Sequence, residues 1–456
     1  MAGIGFELQR AIREDSYLSA IQSYLYAAVI SSGPWLLSVM SLSMLGVMST
    51  SFLSQQATAL FAATITHTFA VSLVTTGLFQ MVVTRYLADQ MYLNETGSIA
   101  PTFVSVMVLS SAAQFLVLNV LLTLTDLPLS FRLPAIALYV SVSGIWMAMI
   151  FLSAARDYVS IVLAFGTGYL VSFLAAVVIG SRFGPEAYLG GFAVGQVLTL
   201  GLLTARVFAE FEQPRSLDLE FSGHFRRYPA LIAIGFLYNL GLWADKMVFW
   251  LSPRAVDVGN YLNVFPSYDT SFFVASLVIV PALAVFTINI ETSFYENYKR
   301  FYAAIQDKRG LDELLDAKRG MLKSVRGSYL TLLKIQGGLA LLVTTLFTPP
   351  LMRIFDIPQD SWHVFRIMIL SMSVLVFLLF TILILMYLDM RGSVLIVCSV
   401  FAATNLGFTA LLLPLGEAFY GYGFLASSIV GTGVSLALLA DRFAKLEYLT
   451  FVRQPL

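Results

Sequence analysis

Twelve stretches of about twenty apolar residues recur along this 456-residue chain, and no other feature restricts its fold as strongly. They lie near 25–48, 60–83, 103–125, 134–152, 159–179, 188–208, 231–251, 268–290, 329–348, 365–387, 393–414 and 420–440. Inside hydrocarbon, every backbone N–H and C=O must find its partner within the protein, so a run of this length crosses as a helix. A β-barrel would alternate apolar and polar side chains, and these runs are continuous. Composition agrees: 58% of residues are hydrophobic and 12% charged, against roughly 25% charged in soluble domains. The expected fold is an all-α polytopic membrane protein of about twelve transmembrane helices.

Loop charges orient those helices, because Lys and Arg near span ends are retained in the cytoplasm. With the N-terminus inside, alternate loops assign 21 Lys and Arg to the cytoplasmic side and five to the other, namely Arg132, Arg182, Arg254, Arg353 and Arg366. Both termini are therefore expected in the cytoplasm, and the span count even. The polar segment 209–230 divides the spans into an N-terminal six-helix lobe, 1–208, and a C-terminal one, 231–456. A second cytoplasmic segment, 291–326, reads as two amphipathic helices broken at Gly310. Phe294, Tyr298, Phe301 and Ile305 form one stripe, and Leu311, Leu314, Leu315, Leu322 and Val325 the next. Such helices suit the membrane interface or a cytoplasmic partner. The N-terminus, with Glu7, Arg10, Arg13, Glu14 and Asp15, is too mixed in charge for a signal peptide, and no cleavage is expected.

Several functions are excluded. Cys398 is the single cysteine, and His67, His224 and His363 are far apart, so neither a disulfide nor a metal centre is expected. His67 reads as a hydrogen-bonded packing residue. No extramembrane segment is long enough for a catalytic domain, and no GxxxxGK[ST] phosphate loop occurs, so neither a cofactor nor ATP hydrolysis is expected. The outer loop Ser49 to Ala59 lacks the acidic residues a polyprenyl-sugar glycosyltransferase would be expected to carry there, so enzyme is the minority reading. The basic residues sit in short loops and form no nucleic-acid face.

Chemistry concentrates in the first and seventh spans. Gly33, Pro34 and Trp35 interrupt the first, where proline removes a backbone hydrogen bond and serines can satisfy freed carbonyls; the span either bends during transport or packs as a fixed kink. In the seventh, Asn239, Trp243, Lys246 and Trp250 recur at helical spacing, so an amide, two indoles and an ammonium share one face. Tyr238, Leu242, Asp245 and Phe249 form the adjacent stripe. Indoles stack on pyranose rings while amides and charges bond hydroxyls, which suits a carbohydrate path. Alternatively, Asp245 and Lys246 snorkel to the interface with the tryptophans as belt anchors. Asn405 and other polar residues within spans are expected to bond neighbouring helices.

The segment Tyr238 to Lys246, followed by Val258, Gly259, Asn260 and Tyr261, resembles the multidrug/oligosaccharidyl-lipid/polysaccharide flippase superfamily. The N-terminal runs Gly3 to Leu8, Asp15-Ser16-Tyr17 and Ile30 to Ser38 resemble the PelG family, the membrane subunit of an exopolysaccharide system. The resemblance implies two six-helix lobes around a central cavity. It also implies export of an N-acetylhexosamine-rich polymer across the bacterial inner membrane during biofilm matrix synthesis. The partners it implies are the bilayer, the polysaccharide, the Pel cytoplasmic glycosyltransferase and the PelD and PelE membrane subunits. It supplies no binding residues of its own.

Overall fold

The computed structural model describes residues 17–123, 125, 127–211, 217–259, 262–355 and 357–453. The N-terminal runs Gly3 to Leu8 and Asp15-Ser16, the linker residues Glu212, Pro214 and Arg215, and Asn260 and Tyr261 lie outside them. Helices α1 to α6 are Tyr17–Ser49, Gln55–Leu93, Ile99–Thr123, Leu129–Ala154, Tyr158–Phe183 and Pro185–Glu210. After a short helix, Phe221–Arg227, α7 covers Pro229–Trp250. Then follow a two-stranded hairpin, β1 (Val256–Asp257) with β2 (Asn263–Val264), and α8 (Pro266–Ser276), α9 (Val280–Asn289), α10 (Tyr295–Gln306) and α11 (Leu311–Leu342). The chain ends with α12 (Trp362–Tyr387), α13 (Arg391–Leu412), α14 (Tyr422–Ala444) and α15 (Leu446–Arg453). Among the described residues, twelve helical stretches are long and apolar enough to cross a membrane, as the sequence led us to expect.

Contact divides the chain into two compact units. One comprises Pro34–Asp269 with Asn405–Leu413; the other takes the described residues up to Gly33, Thr270–Thr404 and those from Pro414 onward. In the first unit, Phe61, Phe103, Phe131, Phe151, Phe165 and Phe192 anchor a continuous apolar core. Two buried tyrosine hydroxyls in it are paired: Tyr169 donates to Ser38 Oγ at 2.6 Å and Tyr188 to the Leu45 carbonyl at 2.8 Å. The 209–230 linker is fastened to this unit at Asp218. Asp218 accepts from the hydroxyls of Tyr86 at 3.2 Å and Thr102 at 3.1 Å, and its N–H donates to Ser105 Oγ. Helix α7 belongs to this unit as well, because it packs along α2 at a crossing where both helices present glycine. A Cβ added at Gly235 would lie 2.1 Å from the Gly77 carbonyl oxygen, so only hydrogen fits.

In the second unit, α9 and α12 meet through Phe286 and Phe380, and buried Gln336 of α11 donates to the Val278 carbonyl at 3.1 Å and Ser373 Oγ at 3.2 Å. The 291–326 segment takes a specific form here. A π-turn, Ile290–Phe294, joins α9 to α10 without interruption, and α11 starts after Gly310 to run through a second π-turn, Val343–Phe347, to Ile354. The Leu311–Ile354 stretch is 44 residues. At about 1.5 Å per residue that is roughly 65 Å, twice the ~30 Å hydrocarbon thickness. Phe294, Phe301 and Ala304 are buried on one arm of the resulting hairpin, as are Leu314, Ala317, Met321 and Val325 on the other. The two apolar stripes thus largely cover each other, while Leu311 and Leu322 stay exposed. Lys318 ties the hairpin to α15 through Glu447 at 2.7 Å.

Candidate functional site

Helix α7 is set by proline at both of its borders: Pro229 opens it at N1, and Pro253 follows shortly after its end. Its last carbonyls are satisfied locally, since Ser252 Oγ donates to the Phe249 carbonyl and Asn263 Nδ2 to that of Trp250 at 2.9 Å. Helix α8 then begins at Pro266, where Asp269 reaches back to accept the Phe265 N–H at 2.9 Å. The two helix ends are joined because the same carboxylate takes the Trp250 indole N–H on both oxygens at 3.1 Å.

One turn deeper lies a buried ion pair. Asp245 and Lys246 are each at 0% exposure, with the ammonium 3.0 and 3.2 Å from the two carboxylate oxygens. Asp245 also accepts from Tyr268 Oη at 2.7 Å and from Asn405 Nδ2 at 3.2 Å. Asn405 in turn donates to the Gly241 carbonyl at 2.8 Å and accepts from Thr409 at 3.3 Å. Removing two charges from water costs several kcal/mol each, which their attraction offsets only when the remaining acceptor positions are filled as they are here. The Trp243 ring lies 5.3 Å from the ammonium, close enough for a cation–π contact. Lys246 therefore spends its charge on Asp245 and an indole, at full burial, rather than reaching along the helix toward an interface.

The α7 face picked out by spacing is covered. Asn239, Trp243 and Trp250 are 5%, 8% and 5% exposed. Asn239 Nδ2 donates to Gln80 Oε1 at 3.3 Å and to the Gly235 carbonyl at 3.0 Å. His67 stacks on Trp250 with ring centroids 4.2 Å apart, and its Nδ1 donates to the Ala63 carbonyl at 2.9 Å. Tyr238 is half-buried on the neighbouring stripe. The first-span candidates are on a different element: Gly33 and Pro34 are buried and Trp35 half-buried within α1, which stays helical through the proline. Ser32 Oγ donates to the Ala28 carbonyl at 2.6 Å and Ser38 Oγ to that of Pro34 at 2.7 Å. Among the described residues, Trp35 has no hydrogen bond or ring contact with the α7 network, and no three His, Cys, Asp or Glu side chains gather as metal ligands.

Sequence reasoning missed Tyr268 and Asp269 as partners of α7. Their signal was present, an ionisable pair directly after Pro266 at the head of an apolar run. Asn405 and His67 behave as expected, bonding across helices and packing, though neither was foreseen at this site.

A sequence model described as "PelG: Putative exopolysaccharide Exporter (EPS-E)" matches residues 1–451. The chain belongs to the PelG family. No curated protein matches it. Among solved structures, this PelG-family chain is similar to a MOP superfamily transporter from Pyrococcus furiosus at 13% identity and a TM-score of 0.65, over 92% of this chain and 96% of that one. It is similar also to an outward-facing MATE family transporter at 14% identity and a TM-score of 0.64, covering 98% and 100%. An inward-facing MATE structure matches at 13% identity and 0.61, covering 92% and 99%. At these identities the likeness establishes the fold, that of MOP superfamily membrane transporters.

Proposed function

We propose that this protein carries a nascent, N-acetylhexosamine-rich exopolysaccharide across the bacterial inner membrane for biofilm matrix, as a transporter without catalytic chemistry of its own. The observation that carries the reading is the match of nearly the whole chain to an exopolysaccharide-exporter family, on a fold shared with MOP transporters. Both termini face the cytoplasm, supported by the 21-to-5 division of Lys and Arg. A cytoplasmic glycosyltransferase and further Pel membrane subunits deliver the polymer. The halves 1–208 and 231–456, joined by the cytoplasmic linker 209–230, move relative to each other. The α7 face of Asn239, Trp243, Lys246 and Trp250, with Asp245, Tyr238 and Trp35, lines the route in the conducting state.

The test is reconstitution of the full chain in vesicles with its polymer-making glycosyltransferase and radiolabelled UDP-N-acetylhexosamine. Polymer on the side opposite the enzyme, dependent on this chain, is the expected result. Polymer made in normal amount but confined to the enzyme's side would mean that the chain only scaffolds the synthase.

A further inference from the structure

Four groups of α7 form the predicted carbohydrate-reading face, and α2 meets two of them, Asn239 and Trp250, with groups that mimic a sugar's hydroxyl and ring. His67 lies on the Trp250 indole at 4.2 Å and 28°, the position a pyranose ring would take on that indole. The Gln80 amide oxygen accepts from Asn239 at 3.3 Å, as a sugar hydroxyl would. Beside the Gln80–Asn239 pairing, Gly77 and Gly235 bring the backbones together with no side chain intervening. Asp245, by contrast, takes its hydrogen bonds from Lys246, Tyr268 and Asn405, on α7, α8 and α13. Drawing α7 away from α2 therefore releases neutral amide and ring pairings while the buried carboxylate keeps its donors.

We infer that the α2–α7 seam is a cryptic saccharide-binding surface, closed on itself at rest, with His67 and Gln80 as its second wall. The inference rests on the transport reading and names the surface that the glycan replaces. In the closed state the imidazole and the glutamine amide occupy the sites of a sugar ring and a hydroxyl. In the open state both walls present aromatic faces and amides to the polymer, so the hydrogen bonds broken on opening are made again with substrate.

The experiment uses the reconstituted full chain on a Cys398→Ala background, which removes its single cysteine. Asn239→Cys and Trp243→Cys are each probed with a charged, water-soluble methanethiosulfonate, with and without sugar nucleotide. Modification at least tenfold faster during polymer export is expected at both positions. Equal rates in the two conditions while polymer crosses the membrane, whether slow or fast, would overturn the seam. Two bridges serve as a second readout: His67→Cys with Trp250→Cys, and Gln80→Cys with Asn239→Cys, each closed by a short bifunctional thiosulfonate. Either bridge should stop export, and reduction should restore it; export that runs equally fast with a bridge closed and after its reduction contradicts the proposal. If the unmodified chain moves no polymer, the transport reading fails instead.

Discussion

Among the described ion pairs, Asp245–Lys246 has both side chains at 0% exposure. Stripping one member leaves the other buried and uncompensated, which costs about 3–5 kcal/mol, whereas removing both together costs far less. Lys246→Met and Asp245→Asn should each lower the melting temperature of the detergent-purified protein substantially, and the double variant should recover most of the loss. Losses that simply add in the double variant would show that the two groups are not coupled. The pair was visible in the sequence because two adjacent ionisable residues deep in an apolar run have few explanations. Its partners were not. Tyr268 and Asn405 lie in separate spans, and nothing in a helical run says which neighbour a polar side chain will face. The same holds for Gln80: spacing located Asn239 on a face, but only the packing of α2 on α7 shows that this face is covered.

At the scale of elements, the α2–α7 crossing depends on a glycine from each helix. Gly235→Ala places a methyl 2.1 Å from the Gly77 carbonyl oxygen, so the helices must spread, at a cost of about 1–3 kcal/mol. A lower melting temperature is expected, and an unchanged one would mean that the helices separate freely. Pro34 poses the opposite question. If α1 bends there in transport, Pro34→Ala should reduce polymer export while leaving membrane insertion and expression intact; full export would make the kink a static one. Element boundaries were legible wherever charges flank the spans, as at Arg391, and poorly legible at span nine. There the apolar run begins near 329, but the helix begins at Leu311, because an amphipathic stretch and a spanning stretch join without a break residue. Hydropathy detects the membrane crossing and not the helix that continues beyond it. The apolar stripes of 291–326 equally leave open what covers them, and the structure answers that α10 and α11 largely cover each other.

For the whole molecule, count and class of the spans followed from the sequence because the bilayer leaves a long apolar run so few structural options. Orientation is a separate proposition, argued from loop charge. Reporter domains fused after Leu456 and inserted between β1 and β2 should report opposite sides of the membrane, the first cytoplasmic; the same side for both would require an even number of crossings between them, where five are expected. The continuous helix from Leu311 to Ile354 carries a further consequence. Twice as long as the hydrocarbon is thick, it is a lever: a tilt of its spanning part about the membrane is magnified at its far arm. That arm holds α15 through Lys318 and Glu447. A fluorophore on the C-terminal helix would therefore read out movements made within the bilayer, with no label placed in the transport route itself.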